Sequence, residues 1–158
     1  FTYLLHIIIR YEIEKDVING RLAVGDIPAA WNDKYREYLG VAPENDREGV
    51  LQDIHWAGGY GGYFPSYIVA CLGAVQIKAA MEKDLGDLDQ LAETGRFDMI
   101  KNWLDEKIFR CGAIYSTREL IQKATGGPLE AEHYIDYLRK KFSEVYKFEI
   151  ISNKEKEQ

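Results

Sequence analysis

The chain has 158 residues, the length of one ordinary domain, and its 46% hydrophobic content is enough to bury a sizeable core. A net charge of −6 argues against a nucleic-acid or anionic-membrane surface, because both demand clustered Lys and Arg. The one basic run, Arg139, Lys140 and Lys141, sits on a patterned helix and reads as a solvated face, and the longest apolar run, 67–77, falls short of the about 20 residues a membrane span needs.

The pattern along the chain is helical throughout, and it predicts an all-α fold. Residues 1–19 are apolar on nearly every face, interrupted by His6, Arg10, Glu12 and Glu14, and Gly20 is placed to end the helix. An all-round apolar helix normally lies inside a larger protein, so it is expected to expose surface made for further partners. Asp26 with Pro28 predicts a capped helix to Leu39, followed by a loop over 41–46 and a short helix over 48–56. Gly58, Gly59, Gly61 and Gly62 then bend the chain, where positive φ or a close backbone approach calls for glycine. Pro65 opens a long helix to Leu85, and 87–93 form a short one.

Phe97, Ile100, Trp103, Leu104 and Ile108 recur at helical spacing, closed by Gly112. Ser116 and Glu119 make a capping box, and Gly126, Gly127 and Pro128 end the helix it begins. Tyr134, Ile135, Leu138, Phe142 and Val145 mark the last helix. Residues 148–151 could extend locally, without a partner strand in sight, and 152–158 form a polar, fraying tail. No repeat or low-complexity linker divides the chain, so 1–151 read as a single helical domain. Cys71 and Cys111 lie in apolar stretches and are expected as reduced buried thiols of a cytoplasmic protein.

The chemistry concentrates in Gly49 to Trp56 and the aromatic stretch that follows. Gln52, Asp53, His55, Trp56, Tyr60, Tyr63 and Tyr67 place an amide, a carboxylate, an imidazole, an indole and three phenols beside a glycine bend. Polar and aromatic groups in that setting are what a substrate pocket needs, and a plain helical scaffold needs none of them. The stretch lacks the Lys and the strand–loop–helix context of a phosphate loop.

Gly49–Val50–Leu51–Gln52–Asp53–Ile54–His55–Trp56 resembles the G-x-x-Q-D-x-H-W signature of the thermostable carboxypeptidase 1 family, the zinc metallocarboxypeptidases of metallopeptidase family 32. The Gly62–Tyr63–Phe64–Pro65–Ser66–Tyr67 run that follows is similar to that family as well. So is residues 1–14, like the family's helix after its I-R-x-x-A-D motif, and so are 114–129 and 134–138, like its C-terminal helices. The resemblance implies an all-α, multi-helix C-terminal third of a larger metallopeptidase with a substrate groove, working with zinc or cobalt on the C-termini of peptides. The family's zinc site is an H-E-x-x-H helix, which needs two His at i and i+4. His6, His55 and His133 cannot supply that pair, so no residue here is expected to bind the metal. The chain then reads as a proteolytic fragment or a piece of a longer enzyme, inactive alone, whose partners are a peptide substrate C-terminus, the remaining N-terminal part and, for the whole enzyme, a second copy in a homodimer.

Within that reading His55 and Tyr67 are the candidate catalytic residues, able to hold the substrate or stabilise an oxyanion. Gln52, Asp53, Trp56 and Tyr63 are the candidate substrate-binding residues, with Tyr60 as a weaker alternative. From spacing alone a structural histidine is the simpler account of His55, and the resemblance reverses it. Gln52 could equally satisfy loop backbone groups, and Trp56 could anchor a core. Arg10, Glu12 and Glu14 are expected to form structural ion pairs, His6 to be a satisfied core histidine and His133 to lie at the surface. The competing reading is a non-catalytic helical module that binds a peptide or partner through the aromatic bend.

Overall fold

A computed structural model of the chain describes residues 2–59 and 61–147. Tyr60, the 148–151 segment and the 152–158 tail lie outside the described residues. Among the described residues there are eight α-helices and no strands. They are α1 (Tyr3–Ile18), α2 (Ile27–Leu39), α3 (Ile54–Gly58), α4 (Phe64–Leu85), α5 (Leu88–Glu93), α6 (Phe97–Lys107), α7 (Thr117–Thr125) and α8 (Glu132–Tyr146). Two compact units arise, Phe1–Val69 and Ala70–Gln158, and their boundary falls inside α4.

The first unit is built on α1 and α2. Ile9 and Ile13 of α1 are fully buried against Trp31 of α2 and Val50, and Val17, Leu22, Ile27, Tyr35, Tyr38, Leu39 and Trp56 pack around them. Pro28 sits in the first turn of α2, where its missing N–H costs nothing. Asp26 precedes that helix, but its side chain makes no capping hydrogen bond, contrary to the sequence expectation. Large apolar side chains remain exposed at both ends of α1, Tyr3 and Ile18, and at Leu51 and Ile54.

The expected helix over 48–56 is instead two pieces. A 3-10 turn covers Val50–Gln52, Asp53 is extended (φ −88°, ψ 110°), and α3 starts at Ile54. The cause is local: the Asp53 carboxylate accepts the His55 backbone N–H and so caps a new helix instead of continuing the old one. Gly59 and Gly62 take φ of 69° and 76°, so the bend does use glycine's left-handed freedom at those two positions. A side chain on Gly61 would meet open space, and its glycine has no steric explanation here.

In the second unit Met81, Trp103, Ile121 and Ala124 are buried. Gln76 of α4, 3% exposed, donates to Pro128 O (2.7 Å) and Thr125 Oγ1 (3.1 Å) and accepts from Glu130 N–H, which pins the chain after α7 to α4. The Ser116–Glu119 capping box forms as the sequence predicts. By length and composition α4 is long and apolar enough to cross a membrane, longer than the 67–77 run suggested, yet it carries this buried amide network. Cys71 and Cys111 are free thiols, half-buried where full burial was expected.

Candidate functional site

All the side chains of the site come from the first unit. Asp53, at the N-cap of α3, holds His55 twice through the same oxygen. Oδ1 accepts the His55 backbone N–H (2.9 Å) and faces His55 Nδ1 (2.7 Å). The other ring nitrogen, Nε2, lies 3.0 Å from the Tyr67 hydroxyl in the first turn of α4. Asp53 Oδ2 is ion-paired with Arg10 Nε of α1. Arg10, 43 residues away in sequence, thus joins three residues of the glycine-bent stretch in one line, Arg10–Asp53–His55–Tyr67.

Charge decides the protons along that line. Burial works against ionising Asp53, but Arg10, the His55 backbone N–H and the His55 ring outweigh it and hold the carboxyl below its ordinary value. An ionised carboxylate only accepts, so the hydrogen of the imidazole sits on Nδ1 and Nε2 faces Tyr67. Burial first, then Tyr63, Tyr3 and Asp53, push the Tyr67 phenol above its ordinary value. Tyr67 therefore stays an O–H donor and does not become a phenolate nucleophile.

The Asp53 shift carries a stability prediction. A carboxyl with a lowered folded-state value stabilises the fold above the unfolded value of about 3.9, and that contribution disappears as pH falls through the folded value. Asp53→Asn is expected to cost about 2 kcal/mol at neutral pH. The gap between variant and wild-type melting temperatures should close as pH drops below about 4. A gap that stays constant down to pH 2 would show that the charge of Asp53 contributes nothing.

Aromatic rings fix the imidazole on its remaining sides. Tyr63 stacks on His55 (centroids 5.8 Å, 24° between planes), Phe64 tilts against it at 5.3 Å, and Tyr67 meets it edge-on. Beside His55 lies an open pocket of about 270 Å³, bordered by Glu14, Val17, Ile18, Trp56, Gly59, Gly61 and Phe64. Glu14 is 7% exposed and accepts the Gly62 N–H (2.9 Å), so it anchors the glycine bend to α1. Trp56 joins the core cluster with one face and the pocket with another, and its buried Nε1 has no partner among the described residues.

Of the residues singled out by sequence, Asp53, His55, Tyr63 and Tyr67 come together, and Trp56 borders the adjoining pocket. Gln52 does not join them: it is exposed in the 3-10 turn. Tyr60 lies outside the described residues. His6 is half-buried, not a core residue, with Nδ1 3.1 Å from the Tyr35 hydroxyl, and burial and then Arg10 lower its pKa. His133 is exposed, as expected. Glu12 pairs with Lys34 (2.5 Å) and accepts from Tyr38, a structural cluster away from His55.

The expected ion pair forms at Arg10, whereas Glu14 accepts a backbone N–H; what sequence reasoning missed is that both lie beside the site. The signal was present: His6, Arg10 and Glu14 stand at i, i+4 and i+8 on a largely apolar helix, which aligns them on one face. Each reaches a different part of the site's surroundings, namely Tyr35, Asp53 and Gly62.

A metal requires more than this line provides. Among the described residues no group of three or more His, Cys, Asp and Glu side chains could hold an ion. Both oxygens of Asp53 and both ring nitrogens of His55 are already engaged. The chemistry assigned to these residues is confined to holding and orienting.

Known proteins share this arrangement of sequence and fold. The chain is 49% identical over 145 residues to carboxypeptidase 1 of Bacillus subtilis, and 39% identical over 141 residues to thermostable carboxypeptidase 1 of Pyrococcus furiosus. These alignments take in 92% and 89% of this chain, but the chain spans only 29% and 28% of the length of those relatives. The crystal structure of the M32 carboxypeptidase from Deinococcus radiodurans superposes with a TM-score of 0.88 at 38% identity, over 93% of this chain and 30% of that one. The family model described as carboxypeptidase Taq (M32) metallopeptidase matches residues 1–142. With nine-tenths of its length matched in both sequence and fold, the chain belongs to the carboxypeptidase Taq (M32) metallopeptidase family.

Proposed function

We propose that the chain supplies a substrate-binding wall of a metal-dependent carboxypeptidase that removes C-terminal residues from peptides, with His55 and Tyr67 facing the substrate. The observation that carries this reading is the Asp53–His55–Tyr67 hydrogen-bonded line beside an open pocket. The relatives' names, all carboxypeptidases, support the reaction class. Zinc or cobalt and the H-E-x-x-H helix belong, in this reading, to a part of the whole protein outside this chain. The chain by itself is then inactive, and the whole protein is a cytoplasmic homodimer.

The chain's own residues have definable work. Tyr67, kept protonated, donates its O–H to the oxygen that gains charge at the scissile carbonyl, or to the substrate's terminal carboxylate. His55, with its hydrogen held on Nδ1 by Asp53, accepts the Tyr67 O–H at Nε2 in the free site and so holds the phenol in place until that one hydrogen turns to the substrate oxygen. Tyr63 and Trp56 offer apolar surface to the last side chain of the peptide. Asp53 holds the loop that carries them through the His55 backbone N–H.

The test is hydrolysis of a blocked dipeptide by the whole protein with zinc or cobalt added, and with chelator as control. Release of the C-terminal amino acid that chelator abolishes is the expected result. A folded, metal-loaded protein that releases nothing would refute the reading and favour a helical module that binds peptides without cleaving them.

A further inference from the structure

We infer that Arg10 is a positioning residue for this site, acting on His55 through Asp53; the inference rests on the functional reading just given. Arg10 is the one member of the line outside the Gly49–Tyr67 stretch, and no step assigned above uses it. Its side chain is 17% exposed and is held from several directions. One terminal nitrogen donates to His6 O (2.7 Å) and to the Tyr35 hydroxyl (3.3 Å), and the guanidinium lies 4.7 Å from the centre of the Trp31 ring. With those contacts made, Nε points at one acceptor, Asp53 Oδ2.

The consequence for Asp53 is complete occupation. Its side chain is 4% exposed; Arg10 takes Oδ2, and His55 takes Oδ1 with both its backbone N–H and its ring. The carboxylate can neither rotate nor exchange oxygens without breaking one of these bonds. Arg10 thereby fixes which oxygen His55 meets and in which plane the imidazole lies. It also keeps the buried carboxylate ionised. A neutral Asp53 could donate to Nδ1 instead, which would move the ring hydrogen to Nε2 and reverse the polarity of the bond to Tyr67. Arg10 touches no substrate in this account, and its influence reaches the site only through Asp53.

That route makes the proposal testable by a double-mutant cycle in the whole protein loaded with zinc, using the blocked-dipeptide assay. Arg10→Met is expected to lower kcat about 10- to 100-fold while KM changes less than about threefold, the size typical of losing a supporting partner. Arg10→Lys, which keeps the charge, should recover at least half of that loss on a logarithmic scale. In an Asp53→Asn background, Arg10→Met should change kcat less than about threefold, because the intermediary has already gone.

Full multiplication of the two single effects in the double variant would overturn the proposal, as would an Arg10→Met enzyme with wild-type kcat. If Arg10→Met fails to fold, the Arg10→Lys and Asp53→Asn pair carries the same cycle, and independent effects again sink the idea. The parent reading fails differently: His55→Ala and Tyr67→Phe would then leave kcat intact whatever Arg10 does.

Discussion

His55→Ala in the whole protein is expected to reduce kcat/KM by about 10²–10³-fold, with metal content and melting temperature close to wild type. The size is that of removing one oriented donor to a developing oxyanion. In the function proposed above, it is Tyr67 that donates to the substrate. What His55 supplies is orientation, because its Nε2 is the group that holds the Tyr67 hydroxyl in place. Tyr67→Phe should therefore cost a similar factor, and the double variant should be hardly worse than either single one, since groups acting as a unit are not additive. The imidazole is 27% exposed, and its ring contacts with Tyr63 and Phe64 are lateral, so its loss should leave the fold standing. Wild-type kcat/KM in a folded His55→Ala protein would remove the basis for a catalytic wall.

The parts of this site that lie close in sequence were legible, and the parts that do not were not. Asp53, His55 and Tyr67 sit within one stretch, where a glycine-bend reading and a family signature coincide. The break at Asp53 was missed because helical spacing counts apolar positions. Spacing cannot tell that a carboxylate two residues before His55 will take its N–H. Arg10 and Glu14 were read as structural because their partners, Asp53 and Gly62, are 43 and 48 residues away. A single sequence does not say which distant groups an aligned stripe of charges will meet. Gln52 belongs to the signature but stands exposed outside the line. The division after Val69 left no Gly, Pro or Ser linker to read, because it falls inside a continuous helix.

Trp31→Ala is expected to lower stability by about 3–5 kcal/mol, the cost of emptying a large aromatic site in a core. Trp31 is 2% exposed and is the largest side chain in the cluster with Ile9, Ile13 and Val50. It stacks on Tyr35 at 4.9 Å and carries the Arg10 guanidinium over its ring. One term runs the other way: Trp31 Nε1 is buried with no partner among the described residues, so truncation also releases an unsatisfied donor. Trp31→Phe separates the two effects, since it keeps a ring beneath Arg10 and deletes the orphaned N–H. It should cost no more than about 1.5 kcal/mol. The measurement is the midpoint of urea unfolding at unchanged slope. The same variants connect the core to the site. If the Trp31 ring is what holds the guanidinium, Trp31→Ala should also lower kcat in the whole protein as Arg10→Met does, whereas Trp31→Phe should not. A loss below about 1 kcal/mol for Trp31→Ala would mean that the packing of α2 on α1 is looser than this cluster describes, and Arg10 would then lack the rigid seat its role requires.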